Sequence, residues 1–313
     1  MRLIFLGTPE FAVPTLEAIV SAGHEVLLVI TQPDRPRGRG GSTAAPPVKQ
    51  AALRLGLPVY QPERVRRPEA LERVLDVRPD AMVVVGYGQI IPQSIIDIPR
   101  LGILNVHASL LPKYRGAGPI QWAIANGETR TGVTTMRIDA GLDTGDMLLK
   151  AETEIGPEET APELGARLAA LGAGLLVETL AGLERGSIAP EQQKSGEATL
   201  APILKKEDGR IDWNLPAGTI HNRVRGFQPW PGAYTGFRGQ QLHIWRSRVA
   251  GAQEAASKQP GAISLKPLRV ACGSGSLELL EVQLEGRRRV SAADFANGSR
   301  LTGKDILGEQ QIS

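Results

Sequence analysis

Two side chains that can act on one reacting atom sit two residues apart in Ile103-Leu-Asn-Val-His107, where an apolar run ends. In an extended segment alternate residues share a face, so Asn105 and His107 point the same way at a strand exit. A single His at a strand end is commonly only a hydrogen-bonded structural group, and its pairing with Asn sets this one apart. Downstream, Asp139-Ala-Gly-Leu-Asp-Thr-Gly-Asp-Met147 packs three carboxylates and two glycines into one tight turn. Glycine there permits close backbone approach. The carboxylate spacing does not fit a calcium loop, so the turn is read as either a solvated acidic turn or part of the same site, with no metal expected. Between these lies Ala108-Ser-Leu-Leu-Pro-Lys-Tyr-Arg-Gly116, whose apolar residues are unusual for a turn and suit the wall of a flat ligand's pocket. Asp34-Arg-Pro-Arg-Gly-Arg-Gly-Gly41 offers three arginines in a turn-prone loop, suited to phosphates or, equally on composition, simply solvated. Cys272 is the only cysteine and reads as a small core residue, which excludes internal disulfides and thiol metal clusters and fits a reducing compartment.

These residues need a frame. Strand-like runs at Arg2–Leu6, Glu25–Thr31, Val59–Tyr60, Ala81–Gly86, Ile103–His107, Val133–Asp139 and Met147–Ile155 alternate with helix-like ones. That alternation predicts an α/β, Rossmann-like parallel-sheet domain, in which ligands bind beyond the carboxyl ends of the strands. Pro14–Ala22 begins with a helix-starting proline, and Thr160-Ala-Pro-Glu163 is a capping box ahead of an apolar-periodic run to Leu183. Residues 187–207 are polar and aperiodic and read as a linker. Beyond them, a helix at His221–Phe227 and short strands at Gln241–Ala250, Leu268–Cys272 and Ser276–Leu284, separated by glycine-rich turns, predict a small β-barrel of the OB-like kind. The domain division is therefore 1–186, linker 187–207 and 208–313.

The bulk properties agree. A chain of 313 residues with 42% hydrophobic and 22% charged residues has the composition of globular proteins, and its length suits two domains. No run approaches about 18 consecutive apolar residues, and the start is too short in apolar character for a signal peptide, so the expectation is a cytoplasmic chain with no membrane association. Net charge is only +3, but residues 31–67 carry eight Lys or Arg against two acids and residues 208–313 fourteen against nine. Such clustering keeps a protein soluble or steers it to a polyanion. Gly7-Thr-Pro9 is not the Gly-x-Gly-x-x-Gly turn of nicotinamide enzymes.

Together, Gly7-Thr-Pro-Glu-Phe11, Gln32-Pro-Asp-Arg-Pro36, Asn105-Val-His107 with Ser109-Leu-Leu-Pro112, and Gly141-Leu-Asp-Thr-Gly-Asp146 resemble the methionyl-tRNA formyltransferase family. The Asn, His and Ser109–Pro112 pattern is shared by folate-dependent formyltransferases at large. Ile211-Asp-Trp-Asn214 and Phe227-Gln-Pro-Trp-Pro231 extend the likeness through the second domain. The resemblance implies transfer of a formyl group from 10-formyltetrahydrofolate to the amine of methionylated initiator tRNA; a monomer is expected. It implies that Asn105, His107 and Asp143 are catalytic, with Asp146 lacking that role. Ser109, Leu110, Leu111 and Pro112 would contact folate, and the backbone around Val85–Ile91, including Gly86, Tyr87, Gly88 and Ile90, would hold the pterin. Arg35, Arg37 and Arg39 would meet the acceptor end of the tRNA, although Gly40–Ala45 lacks the lysines the family commonly has there.

On this view Asn105 and His107 each donate an N–H to the formyl oxygen as it gains charge, worth about 3 to 4 kcal/mol per donor, and Asp143 orients His107 and helps move the amine's proton. The alternatives are a related transferase acting on a small amine, for which the three residues would look the same, and a nucleic-acid-binding module in which they are incidental.

Overall fold

A computed structural model describes residues 1–36, 43–250 and 259–308. The chain forms two compact units: residues Met1–Gly116, Arg130–Glu154 and Gly165–Ala201 make the first, and Ala117–Thr129, Ile155–Leu164 and Pro202–Ser313 the second.

The first unit is built on β1 (Arg2–Gly7), α1 (Val13–Ser21), β2 (Glu25–Ile30), the two-residue pair β3 (Arg35–Pro36) and β4 (Thr43–Ala44), α2 (Pro47–Arg54), β5 (Val59–Tyr60), α3 (Pro68–Val77), β6 (Ala81–Val85), α4 (Gln93–Ile96) and β7 (Ile103–His107). α1, α2 and α3 each carry a proline in the first turn, where the missing N–H costs nothing. Leu3, Ile4, Phe5 and Leu6 of β1 are all fully buried, as a strand covered on both faces requires. After α5 (Pro119–Ala125), which belongs to the second unit, come β8 (Arg130–Arg137), β9 (Met147–Glu154) and α6 (Ala161–Glu184).

The sheet order is β5-β2-β1-β6-β7-β8-β9. β5, β2, β1, β6 and β7 run parallel, as the alternation of strands and helices predicts, but β8 runs against them, antiparallel to both β7 and β9. For β8 and β9 the reason is the connection: residues 138–146 form a short turn, which can join only antiparallel neighbours. α6 is long and apolar enough by composition to cross a bilayer, yet half of that apolar window is buried, with Leu164, Leu168, Leu176 and Leu180 fully so. Gly172 sits where a Cβ would lie 2.7 Å from Val106 Cγ1, which brings α6 close against β7 and turns the other face of that strand, with Asn105 and His107, away from it.

The stretch expected to be a linker divides at Ala201. Its first part is bonded into the first unit: Glu191 and Met147 exchange backbone hydrogen bonds, and Thr199 and Ala201 pair with Arg115.

The second unit contains α7 (Ala217–Gly226), β10 (Ala233–Phe237), β11 (Gln240–Val249), β12 (Ile263–Ser264), β13 (Arg269–Ala271), β14 (Ser276–Leu284), β15 (Val290–Ser291) and α8 (Ala292–Gly298). The antiparallel order is β10-β11-β14-β13-β12, with β15 on β14. Leu242, Ile244, Val270, Leu277 and Val282 fill its interior, and Cys272 packs among them as the sequence predicts. The open edges are bridged by the segment after α8. Leu307 N donates to Gly261 O (2.8 Å) and Gly308 N to Gly236 O (3.0 Å), which joins β10 to the chain entering β12 and completes an OB-like barrel.

Candidate active site

The first unit's sheet reverses its winding at β1, which lies between β2 and β6, and a crevice is expected beyond the carboxyl ends of β1 and β6. A cleft of about 920 Å³ occupies that place. Thr8 and Pro9 follow β1, Gly86, Tyr87, Gly88, Gln89 and Ile90 follow β6, and Gln32, Arg35 and Arg64 also line it. Gly86 and Gly88 have φ of 58° and 84°, which lets the chain turn sharply off the strand. The Tyr87 side chain is buried in the core, and its carbonyl accepts from Thr8 Oγ1 (3.0 Å) and Gln32 Nε2 (3.1 Å). Ile90, by contrast, is 92% exposed.

The neighbouring strand, β7, carries Asn105 and His107. Asn105 pairs with Val84 of β6 and Met136 of β8. Its amide is half-buried and makes no hydrogen bond among the described residues. His107, 5% exposed, has its Nε2 2.9 Å from Tyr114 O. A carbonyl only accepts, so Nε2 carries a hydrogen and Nδ1 is the nitrogen left for chemistry. Nδ1 lies 3.6 Å from Asp143 Oδ2, close enough for charge to act and too long for a good hydrogen bond. The same Oδ2 accepts from Gly116 N at 2.8 Å. Of the other acids in the turn, Asp139 bonds Thr144 Oγ1 and Gly141 N within the turn itself. Gly145 is required where it stands, since a Cβ would fall 1.9 Å from Arg137 O. Among the described residues no group of three or more His, Cys, Asp or Glu could hold a metal ion.

The structure thus brings His107 and Asp143 together and places Gly86, Tyr87, Gly88, Ile90 and Arg35 around the cleft. Gly86, two residues past Val84, leaves the sheet at the level of His107, two past Asn105. Ser109, Leu110, Leu111 and Pro112 connect the strand to Tyr114 and are less open than their composition suggests. Ser109 is fully buried with its carbonyl bonded by Thr134 Oγ1 (2.7 Å), and Leu111 packs on Met136 and Met147. Leu110 and Pro112 stay half-buried. Arg35 is exposed beside Asp34, whose carboxylate is held below its ordinary pKa by Gln61 and then by Lys49. Arg37 and Arg39 lie outside the described residues. The residues missed by sequence reasoning are Thr134, Arg115, Gln193 and Thr199, each of which holds a loop of the site by bonds to distant parts of the chain.

In the second unit, Arg225 is buried, with Nη1 bonded to the carbonyls of Gly156 and Glu159, and so is not part of a positive surface. Arg246, Arg248, Arg287, Arg288 and Arg289 are exposed, Arg248 beside Glu278 and Arg289 over the Trp245 ring.

A Rossmann-like parallel-sheet domain followed along the chain by an antiparallel barrel is the architecture of a class of transferase, as comparison with known proteins shows. Residues 1–180 match the formyl transferase family and residues 203–300 the formyl transferase C-terminal domain. Proteins named methionyl-tRNA formyltransferase from Solibacter usitatus and Koribacter versatilis are 73% and 59% identical over 313 and 312 residues, covering 100% and 98% of this chain and 100% and 99% of theirs. A solved methionyl-tRNA formyltransferase from Clostridium thermocellum shares the fold at TM-score 0.56 and 18% identity, over 80% of this chain and 94% of that one. An N-formyltransferase from Helicobacter canadensis, solved with folinic acid and dTDP-3-aminofucose, does so at TM-score 0.68 and 18% identity, over 89% and 99%. The chain belongs to the formyl transferase family and, within it, to the methionyl-tRNA formyltransferases.

Proposed function

We propose that this protein moves the formyl group of 10-formyltetrahydrofolate to the α-amine of methionine on initiator tRNA, giving N-formylmethionyl-tRNA in the cytoplasm, as a monomer that needs no metal or membrane. The observation that carries the reading is the 73% identity, over the whole length of both chains, to a protein of that name. Residues 1–186 would bind folate and catalyse, and 208–313 would bind tRNA, with 187–207 between them in sequence.

The residues present fit a folate formyl donor. Asn105 offers a half-buried amide with no partner among the described residues, and Gly86, Gly88 and Ile90 offer exposed backbone beside the cleft, the kind of peptide edge a pterin ring pairs with. Leu110 and Pro112 would add apolar contact, and Ser109 and Leu111 would hold their loop in place. The bound donor supplies a formyl carbon. A bond forms between that carbon and the methionine nitrogen, the bond to N10 breaks, one proton leaves the amine and one reaches N10.

The work of the chain is to stabilise the formyl oxygen and handle the proton. Asn105 donates an amide N–H to that oxygen. His107 can join it only through Nδ1, because Tyr114 holds Nε2, so the donor is the imidazolium with Asp143 at 3.6 Å balancing its charge. The carboxylate of Asp143 also accepts the amine's proton, directly or through a water, for return to N10. Arg35, Arg37 and Arg39 would fork onto phosphates or stack on bases at the acceptor end of the tRNA.

The test is formylation of methionylated initiator tRNA beside a small amine acceptor, with the parent and a His107→Ala variant. Transfer to the tRNA alone, lowered at least about 100-fold in the variant, is expected. Equal transfer to the small amine would point instead to a small-amine transferase.

A further inference from the structure

The stretch 191–201 bonds the turn that carries Asp143 and the loop whose Tyr114 carbonyl holds His107. Gln193 is 6% exposed and its amide is fully used. Its Oε1 accepts from Nε (3.0 Å) and Nη2 (2.8 Å) of Arg115, itself buried. Its Nε2 gives one hydrogen to the carbonyl of Asp143 (2.8 Å) and the other to that of Gly145 (2.7 Å). An amide has two N–H donors and one carbonyl with two lone pairs, and all four are engaged.

The two carbonyls flank Thr144, so Gln193 ties the acidic turn across its middle. The residue so held is unusual, since Asp143 has φ of 51°. Residues with a Cβ adopt that left-handed conformation uncommonly, Asp more readily than most, and here bonds to the flanking carbonyls hold it. The neighbouring loop is held from the same stretch. Thr199 Oγ1 accepts from Tyr114 N (2.9 Å) and Thr199 O accepts from Arg115 N (2.9 Å), while Tyr114 O is the acceptor for His107 Nε2.

We infer that Gln193 is a positioning residue for formyl transfer: by bonding the backbone of the turn it sets the distance and aim of the Asp143 carboxylate at His107 Nδ1, without touching substrate. The inference rests on the roles given above to Asp143 and His107.

Two substitutions separate its functions. Gln193→Glu keeps the length and the acceptor for Arg115 and replaces both donors with an oxygen facing two carbonyls. Gln193→Met removes every bond. The readout is the rate constant of the pre-steady-state burst with both substrates saturating, because a misfolded fraction lowers the amplitude of the burst and leaves its rate constant unchanged.

Both variants are expected to slow about 10- to 100-fold, the usual loss when the support of an acting group is removed. Binding of folate and of tRNA should stay within about twofold of the parent. In an Asp143→Asn background, Gln193→Met should slow the reaction no further, since it acts through that carboxylate. A parent-like rate constant in Gln193→Glu, a loss of amplitude alone, or full additivity with Asp143→Asn would each overturn the inference. If Asp143→Asn itself runs at the parent rate, the catalytic role of Asp143 falls and takes this inference with it. If Asp143→Asn is slow and Gln193→Glu is not, only the inference falls.

Discussion

Tyr87 shows how far apart a residue's ring and its backbone can stand in function. Its ring fills the core beneath the cleft, and its hydroxyl is buried with no hydrogen-bond partner among the described residues. Burial, with Tyr60 adding to it, pushes the phenol up to about 12, so it stays neutral. An unpaired buried hydroxyl costs about 1 to 3 kcal/mol, part of which returns as a small void when it is removed. Tyr87→Phe is therefore expected to raise stability by about 1 kcal/mol in urea unfolding while leaving formylation unchanged. A tenfold fall in rate would instead give the hydroxyl a part in the chemistry. Asn105 and His107 were readable from the sequence because alternation along a strand is local, and the resemblance added Asp143. Gln193 was not readable, since its partners Arg115 and Asp143 lie 78 and 50 residues away and a polar, aperiodic stretch carries no sign of which distant carbonyls it will satisfy. Leu111 is ambiguous for a similar reason: an apolar residue in a loop reads alike whether it faces a ligand or packs on core residues such as Met136 and Met147.

At the scale of elements, the start of α6 follows its sequence signature closely. Glu163 Oε2 accepts from Thr160 N and Thr160 Oγ1, both at 2.8 Å, so the carboxylate occupies the helix N-terminus as a capping box intends. The backbone amide of Thr160, and then its hydroxyl, hold the Glu163 carboxyl below its ordinary pKa. A depressed value means that the folded state prefers the ionised form. The stabilisation is therefore complete above the ordinary carboxyl value and is lost as the pH falls through the depressed one. Because Glu163 is exposed, the effect is small. Urea unfolding of Glu163→Gln should show a deficit of about 0.3 to 0.5 kcal/mol at neutral pH that disappears as the pH falls through the depressed carboxyl value. A deficit unchanged with pH would mean that the amide and the carboxylate differ for reasons other than charge. Caps and proline starts are written within four residues, and so they were legible. The antiparallel edge β8 and β9 was not, because strand direction depends on where a connection goes, and the barrel's closing segment at Leu307 and Gly308 shows no period at all.

For the whole molecule, the distribution of charge matters more than its sum. A chain of net charge +3 has no strong field overall, but residues 31–67 and 208–313 hold most of the excess Lys and Arg. The structure trims that surplus, since Arg225 is internal and Arg248 is paired, and leaves Arg35 at the cleft and Arg246, Arg287 and Arg288 exposed. Binding of a polyanion by such groups releases its condensed counterions, so affinity falls as a power of the salt concentration, with an exponent close to the number of phosphates neutralised. If about four phosphates are met, KM for the methionylated tRNA should rise on the order of 100-fold between about 50 and 200 mM salt. KM for the folate, a small ligand that the proposed site would hold in large part by backbone and apolar contacts, should change little over the same range. Replacing one contacting arginine should weaken tRNA binding and lower the salt exponent by about one. Arg39→Ala is the sharpest form of that test: it should raise KM for tRNA, flatten its salt dependence by one contact and leave KM for folate in place. Equal damage to both KM values, or an unchanged salt exponent, would remove the arginine loop from the tRNA interface and leave the charge of the second unit as its source.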